Sequence, residues 1–185
     1  MPSSAPEGLA SSCAGLDSGG LNTLSNFTIT AYNTTLPNAN STGAPLILGD
    51  DLSYHGYTQY VLATYSYPYP ALNQVSFSLD AGGLVANLDA DSTTAVLSLS
   101  SDHEFDFIVS TEGSVMPAPI FCAVQTDNMC GGYPVLAANG RTNLFLICER
   151  TGENSFAEVV YNGTTGSTAY DVDSCYAVDL CLFSV

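Results

Sequence analysis

The chain has 185 residues, enough for one domain with a real core; 46% of them are hydrophobic and 11% charged. Eighteen acidic residues face two basic ones, Arg141 and Arg150, lysine is absent, and the formal net charge is -16. That balance excludes nucleic acid and anionic membrane surfaces as partners, since both are gripped through Lys and Arg, and the hydrophobic content excludes a disordered chain.

Residues 1–23 are rich in Ser, Gly, Ala and Pro without periodicity and read as a flexible arm, with Cys13 as its one anchor. From Leu24 the texture changes to short apolar, β-branched or aromatic runs punctuated by Gly, Pro, Asn and Asp. Strands are expected at Asn26–Tyr32, Pro45–Leu48, Gln59–Tyr65, Val75–Leu79, Leu84–Asn87, Ala95–Ser100 and Glu104–Val109. The series continues at Pro119–Val124, Pro134–Ala137, Asn143–Cys148, Ala157–Tyr161 and Tyr176–Phe183. Phe27, Ile29 and Ala31 alternate with Asn26, Thr28 and Thr30, and Phe105 and Phe107 alternate with Glu104 and Asp106, as half-buried strands require. No stretch carries a helical stripe over three turns, and no apolar run approaches the roughly 18–20 residues of a membrane span. The expected fold is all-β: a single disulfide-stapled sandwich or barrel of about ten to twelve short strands over 24–185, with a β-trefoil as the alternative.

Cys13, Cys122, Cys130, Cys148, Cys175 and Cys181 are even in number, and their spacings lack the close pairs with nearby histidines that a zinc site needs. They are expected to form disulfides; a bond between Cys175 and Cys181, with five residues between them, is one candidate pairing. Sequons begin at Asn26, Asn33, Asn40 and Asn162, three of them close together, which marks 26–42 as surface with room for glycans. Both features point to an extracellular protein. The start, Met1-Pro-Ser-Ser, has neither a charged n-region nor an apolar h-region, so it reads as a chain already relieved of its leader.

The C-terminal half has a distinctive order. A cysteine strand, Ile120-Phe-Cys122, is followed by Tyr133-Pro-Val-Leu-Ala-Ala-Asn-Gly140 and a second cysteine strand, Leu144-Phe-Leu-Ile-Cys148. Val159-Val-Tyr-Asn162 and Ser174-Cys-Tyr-Ala-Val178 close the series, with Phe77-Ser-Leu-Asp-Ala-Gly-Gly-Leu84 upstream. Together these segments resemble the small secreted fungal cell-wall proteins of the phialide type and the related IgE-binding antigens. The resemblance covers roughly residues 24–185 and implies a secreted, glycosylated cell-wall or extracellular protein with no catalytic residues to carry over.

Catalytic chemistry finds little purchase. His55 and His103 are the only histidines and no Gly-x-Ser-x-Gly elbow occurs, so a nucleophilic triad has no defined base. Glu104 and Asp106 share one strand face and offer a carboxylate pair of the kind an acid hydrolase uses, but a solvated polar face is the stronger account of them. Asp50-Asp51, Asp89-x-Asp91 and Asp171-x-Asp173 place hard oxygens in turns without forming an EF-hand loop. No metal or other cofactor is expected. The most suggestive binding feature is aromatic: Tyr65, Tyr67 and Tyr69, stiffened by Pro68 and Pro70, would share one face of an extended segment beside Asp50 and Asp51 and could stack on sugar rings.

The expected protein is therefore a non-enzymatic secreted glycoprotein, a cell-wall or extracellular surface component whose partners are glycans and further copies of itself. A carbohydrate-binding lectin using the tyrosine segment is the first alternative, and a secreted acid hydrolase the second.

Overall fold

The computed structural model describes residues 13, 15–16, 20–54, 57–68, 71–72, 75–88, 93–110, 113–126, 130–152 and 155–185. The elements are all β: β1 (Leu24–Asn33), β2 (Ala44–Tyr54), β3 (Tyr57–Thr64), β4 (Ala71–Leu72), β5 (Ser76–Asp80), β6 (Gly83–Asn87) and β7 (Thr93–Ala95) come first. They are followed by β8 (His103–Glu104), β9 (Asp106–Ser110), β10 (Phe121–Val124), β11 (Val135–Ala138), β12 (Phe145–Arg150), β13 (Ala157–Tyr161) and β14 (Tyr170–Ser184), with a short 3-10 turn at Cys130–Gly132. Among the described residues there is no α-helix, and no helix is long and apolar enough to cross a membrane.

Six strands close into an antiparallel barrel in the order β1-β2-β3-β13-β12-β14, with β14 returning to pair with β1. Closure depends on strands that change neighbours part-way along. The first half of β14 pairs with β12 (Leu146↔Ala177, Arg150↔Tyr170), and its second half runs beside β1 from Asn33↔Val178 to Phe27↔Ser184. In β2, Ala44 and Pro45 pair with β1 while Leu46–Tyr54 pair with β3. Such strands form the corners through which one sheet turns into the next. The barrel strands come from two groups, 24–64 and 145–184, and not from three evenly spaced ones. A trefoil would repeat one unit three times, so of the expected architectures the closed barrel is the one observed.

The interior follows from the alternation in the sequence. Phe27, Ile29 and Ala31 of β1 meet Val178, Leu180 and Leu182 of β14, and Val159 and Tyr161 of β13 meet Phe145 and Ile147 of β12. Phe105 lies at the centre, its ring 5.7 Å from those of Phe107 and Phe121 and 5.9 Å from that of Phe145. Phe77 carries the aromatic cluster on to Phe27.

Two tight hairpins are set by local chemistry. Ala81 and Gly82 join β5 to β6, and Asn139 and Gly140 join Ala138 to Arg141, all four residues with positive φ. Two-residue loops with both central φ positive match the twist of paired strands, and Asn-Gly is their favoured sequence.

Three disulfides staple the fold: Cys13–Cys122, Cys130–Cys181 and Cys148–Cys175. The Cys175–Cys181 bond does not form. Both residues lie on β14, and six residues of strand separate their backbones by roughly 20 Å, beyond any disulfide. Cys148–Cys175 instead joins neighbouring strands, and Cys130–Cys181 pins the 3-10 turn to the outer side of β14. The first two bridges lie in a satellite core with Val124, Val135 and Ala137. There the described part of the 1–23 segment is seated: Cys13 is buried, and Leu21 exchanges two 2.8 Å backbone hydrogen bonds with Ala123 at the free side of β10. At the far end of the sheet, Val96 N donates to Leu84 O and Phe121 N to Gly82 O, so β6 is covered too.

Candidate functional site

The outer face of the barrel wall holds an unusual collection of charge, and the backbone explains why. β3 and β13 pair with each other only at Ala63↔Glu158. Beyond that point they diverge, and the segment 103–110 enters the gap: Glu104 pairs with Val160 of β13, and Asp106–Ser110 pair with β3. Phe105 bridges the two sides, its N–H donating to Val159 O (2.9 Å) and its carbonyl accepting from Leu62 N (3.0 Å). With the phenyl rings of Phe105 and Phe107 turned into the core, Glu104 and Asp106 fall on the outer face, where Glu158 stands at the base of the fork.

Arg150, on β12, reaches this group. Its Nη1 lies 2.6 Å from Asp51 Oδ1 and 3.8 Å from Glu158 Oε2, and its Nη2 lies 3.4 Å from Glu104 Oε1. Its guanidinium also sits over the Phe156 ring, 5.5 Å from the centroid. Gln59 Nε2 donates to Asp106 Oδ2 at 2.8 Å. Glu158 has no exposed surface, and neither of its oxygens has a hydrogen-bond partner; Asp106 Oδ1 is likewise unpartnered. Burial pushes the Glu158 carboxyl up to about 8, with Glu104, Asp51 and Asp106 adding to the rise and Arg150 opposing it. Burial also pushes Asp106 up to about 7, helped by Glu104 and Asp51 and opposed by Gln59 and Arg150. Both groups therefore carry protons in mildly acidic solution. Among the described residues, no group of three or more His, Cys, Asp or Glu side chains is arranged to hold a metal ion.

The tyrosine segment has a different character from the extended row its spacing suggests. A turn at Tyr65–Ser66 breaks the row: Tyr65 is 57% exposed and Tyr67 only 8%. Tyr67 packs edge-on against Phe156, centroids 4.6 Å apart, and its hydroxyl donates to the Asp50 carbonyl. Tyr69 lies outside the described residues, as do His55, Asp89 and Asp91. Asp50 and Asp51 follow one another on β2, but Asp51 is spent on Arg150. Asp171 Oδ1 accepts from Asp173 N at the bulge near the start of β14. His103 is exposed, while the neighbouring Asp102 accepts from Tyr170 OH and Thr164 N, which lowers its pKa.

The sequons are more informative. Asn33 and Asn40 flank the connection from β1 to β2, and each folds as an Asx turn. Asn33 Oδ1 accepts from Thr35 N (2.8 Å) and Thr35 Oγ1 (3.0 Å), and Asn40 Oδ1 accepts from Thr42 N (3.0 Å) and Thr42 Oγ1 (3.1 Å). In both, the hydroxyl of the sequon threonine is held against the asparagine, and Nδ2 has no partner among the described residues. A mutual pair fixes the connection: Asn33 N donates to Asn38 Oδ1, and Asn38 Nδ2 donates to Asn33 O, both at 2.8 Å. Asn26 is exposed at the start of β1, whereas Asn162 Nδ2 is engaged by Ser101 Oγ at 2.6 Å.

No protein family, no curated protein and no solved structure matches this chain. The fork could not be read from the sequence. Glu104 and Asp106 stand out as a same-face pair, but Glu158 and Arg150 carry no local signal that places them beside it.

Proposed function

We propose that the protein is a non-enzymatic, secreted glycoprotein that serves as a cell-wall or extracellular surface component, in keeping with its resemblance to the small fungal wall proteins. The observation that carries this reading is the β1–β2 connection, where two sequons are presented in Asx turns with their acceptor nitrogens unbonded among the described residues. Three disulfides support it, because such bonds persist in oxidising, extracellular surroundings. The strong negative charge supports a hydrated surface layer that repels nonspecific partners. The backbone bonds that cover the sheet's ends argue against edge-to-edge strand pairing, which leaves glycans as the favoured means of association in this reading.

Fractionation of a fungal culture secreting the chain tests the reading. Retention in the wall fraction, with release by detergent or glucanase digestion and no turnover of glycan or peptide substrates at pH 3–7, is the expected result. Free protein in the medium, or turnover abolished by Asp106→Asn, would overturn it.

A further inference from the structure

The fork between β3 and β13 places four carboxylates around a single guanidinium: Asp51 from β2, Glu104 from β8, Asp106 from β9 and Glu158 from β13, with Arg150 from β12. Gln59 of β3 adds one neutral donor and Phe156 an apolar cover. Fully ionised, the group would leave three negative charges unbalanced in a wall where Glu158 meets no water and no hydrogen-bond donor. A buried charge without such partners is costly, so a proton is the simplest neutraliser. The segment lodged in the fork joins both walls: His103 and Glu104 pair with β13, Asp106–Ser110 pair with β3 and 108–110 also with β7, and between them Phe105 N bonds Val159 O and Leu62 N bonds Phe105 O, so this ladder must part for the segment to leave.

We propose that this fork is a proton-operated lock: protonated Glu158 and Asp106 let the 103–110 segment seat between β3 and β13, and loss of both protons drives that segment out. The lock is closed in acid and opens toward alkali. Its direction follows from linkage. The folded protein holds protons that the unfolded chain releases near the ordinary carboxylate range, so the closed state weakens as pH rises from about 4–5 to about 8. Opening would uncover Phe105 and Phe107, the centre of the aromatic core. The lock does not depend on where the protein resides, so it and the wall-component reading stand or fall separately.

Hydrogen exchange of the intact, oxidised protein, read by mass spectrometry after peptic digestion, tests the lock. Rates are corrected for the intrinsic effect of pH on amide exchange. Between pH 5 and pH 9 the amides of 103–110 and their partners in β3 and β13 are expected to lose protection by tenfold or more, while those of β1 and the second half of β14 change much less. In a Glu158→Gln, Asp106→Asn variant the local step is expected to vanish. Unchanged protection at 103–110 in the wild type would overturn the proposal, as would a step that persists in the variant. Should the double variant not fold, the wild-type profile decides alone, since a uniform loss of protection across the barrel would also contradict a local lock.

Discussion

Gly49 and Tyr67 form a pair whose energetics can be worked out from the structure. A Cβ on Gly49 would lie 2.6 Å from Cδ2 and Cζ of the Tyr67 ring, far inside van der Waals contact. The ring in turn stacks edge-on against Phe156, which underlies Arg150. Gly49→Ala should therefore displace a buried aromatic and cost about 1–3 kcal/mol, the usual penalty of overpacking. Tyr67→Ala removes the ring from a site that is 8% exposed and should cost about 3–5 kcal/mol, whereas Tyr67→Phe keeps the ring and gives up the hydroxyl's bond to the Asp50 carbonyl, about 0.5–1.5 kcal/mol. The two substitutions must couple. Once Tyr67 is alanine the space beside residue 49 is open, and Gly49→Ala should become neutral or stabilise by about 0.4–1 kcal/mol through the unfolded chain. Urea unfolding of the four oxidised proteins, fitted with a common slope, measures the cycle. Additive effects, or a Tyr67→Ala cost below about 1 kcal/mol, would refute the packing role and return Tyr67 to the surface as a sugar-stacking residue.

Phe105→Ala should destabilise the barrel by about 3–5 kcal/mol, since its ring touches three others and its backbone joins β3 to β13; a urea midpoint close to wild type would contradict that placement. Removing the Cys148–Cys175 bridge by paired Ala substitution should cost about 2–4 kcal/mol, and non-reducing peptide mapping should recover Cys13 with Cys122, Cys130 with Cys181 and Cys148 with Cys175. Any peptide linking Cys175 to Cys181 would break the topology. Global stability should fall as pH rises from 5 to 8, by up to about 1.4 kcal/mol per pH unit for each proton released, because Asp106 and Glu158 hold protons in the fold that the unfolded chain gives up. A urea midpoint that instead rises over this range would reverse the sign of the argument.

Local pattern made the strands legible. Ala157–Tyr161 coincides with the observed β13, and the alternation of Phe27, Ile29 and Ala31 names the face of β1 that meets the core. Asn139-Gly140 announces its own turn. Where the pattern misled, the causes are specific. Ala95–Ser100 looks like a strand, but only Thr93–Ala95 pairs, and Val96 instead donates to Leu84 O of β6 and accepts from Ala118 N. β14 begins at Tyr170, six residues before the expected start, because Tyr170 and Asp171 pair with Arg150 and Glu149 of β12, while the turn-like Asp173 and Ser174 fall in a bulge of that ladder. The closing pair β14–β1 and the bridge from Cys148 to Cys175 are non-local and leave no mark in a single sequence. The fork is the extreme case, since its carboxylates lie as far apart in the chain as Asp51 and Glu158 and are brought together only by β13 meeting β3 at one residue pair.

Glycopeptide mass spectrometry of the natively secreted protein tests the central claim most directly. The account predicts N-glycan on the peptides carrying Asn33 and Asn40. A secreted protein whose Asn33 and Asn40 are both bare would contradict it, and the glycosylated surface component would have to be abandoned.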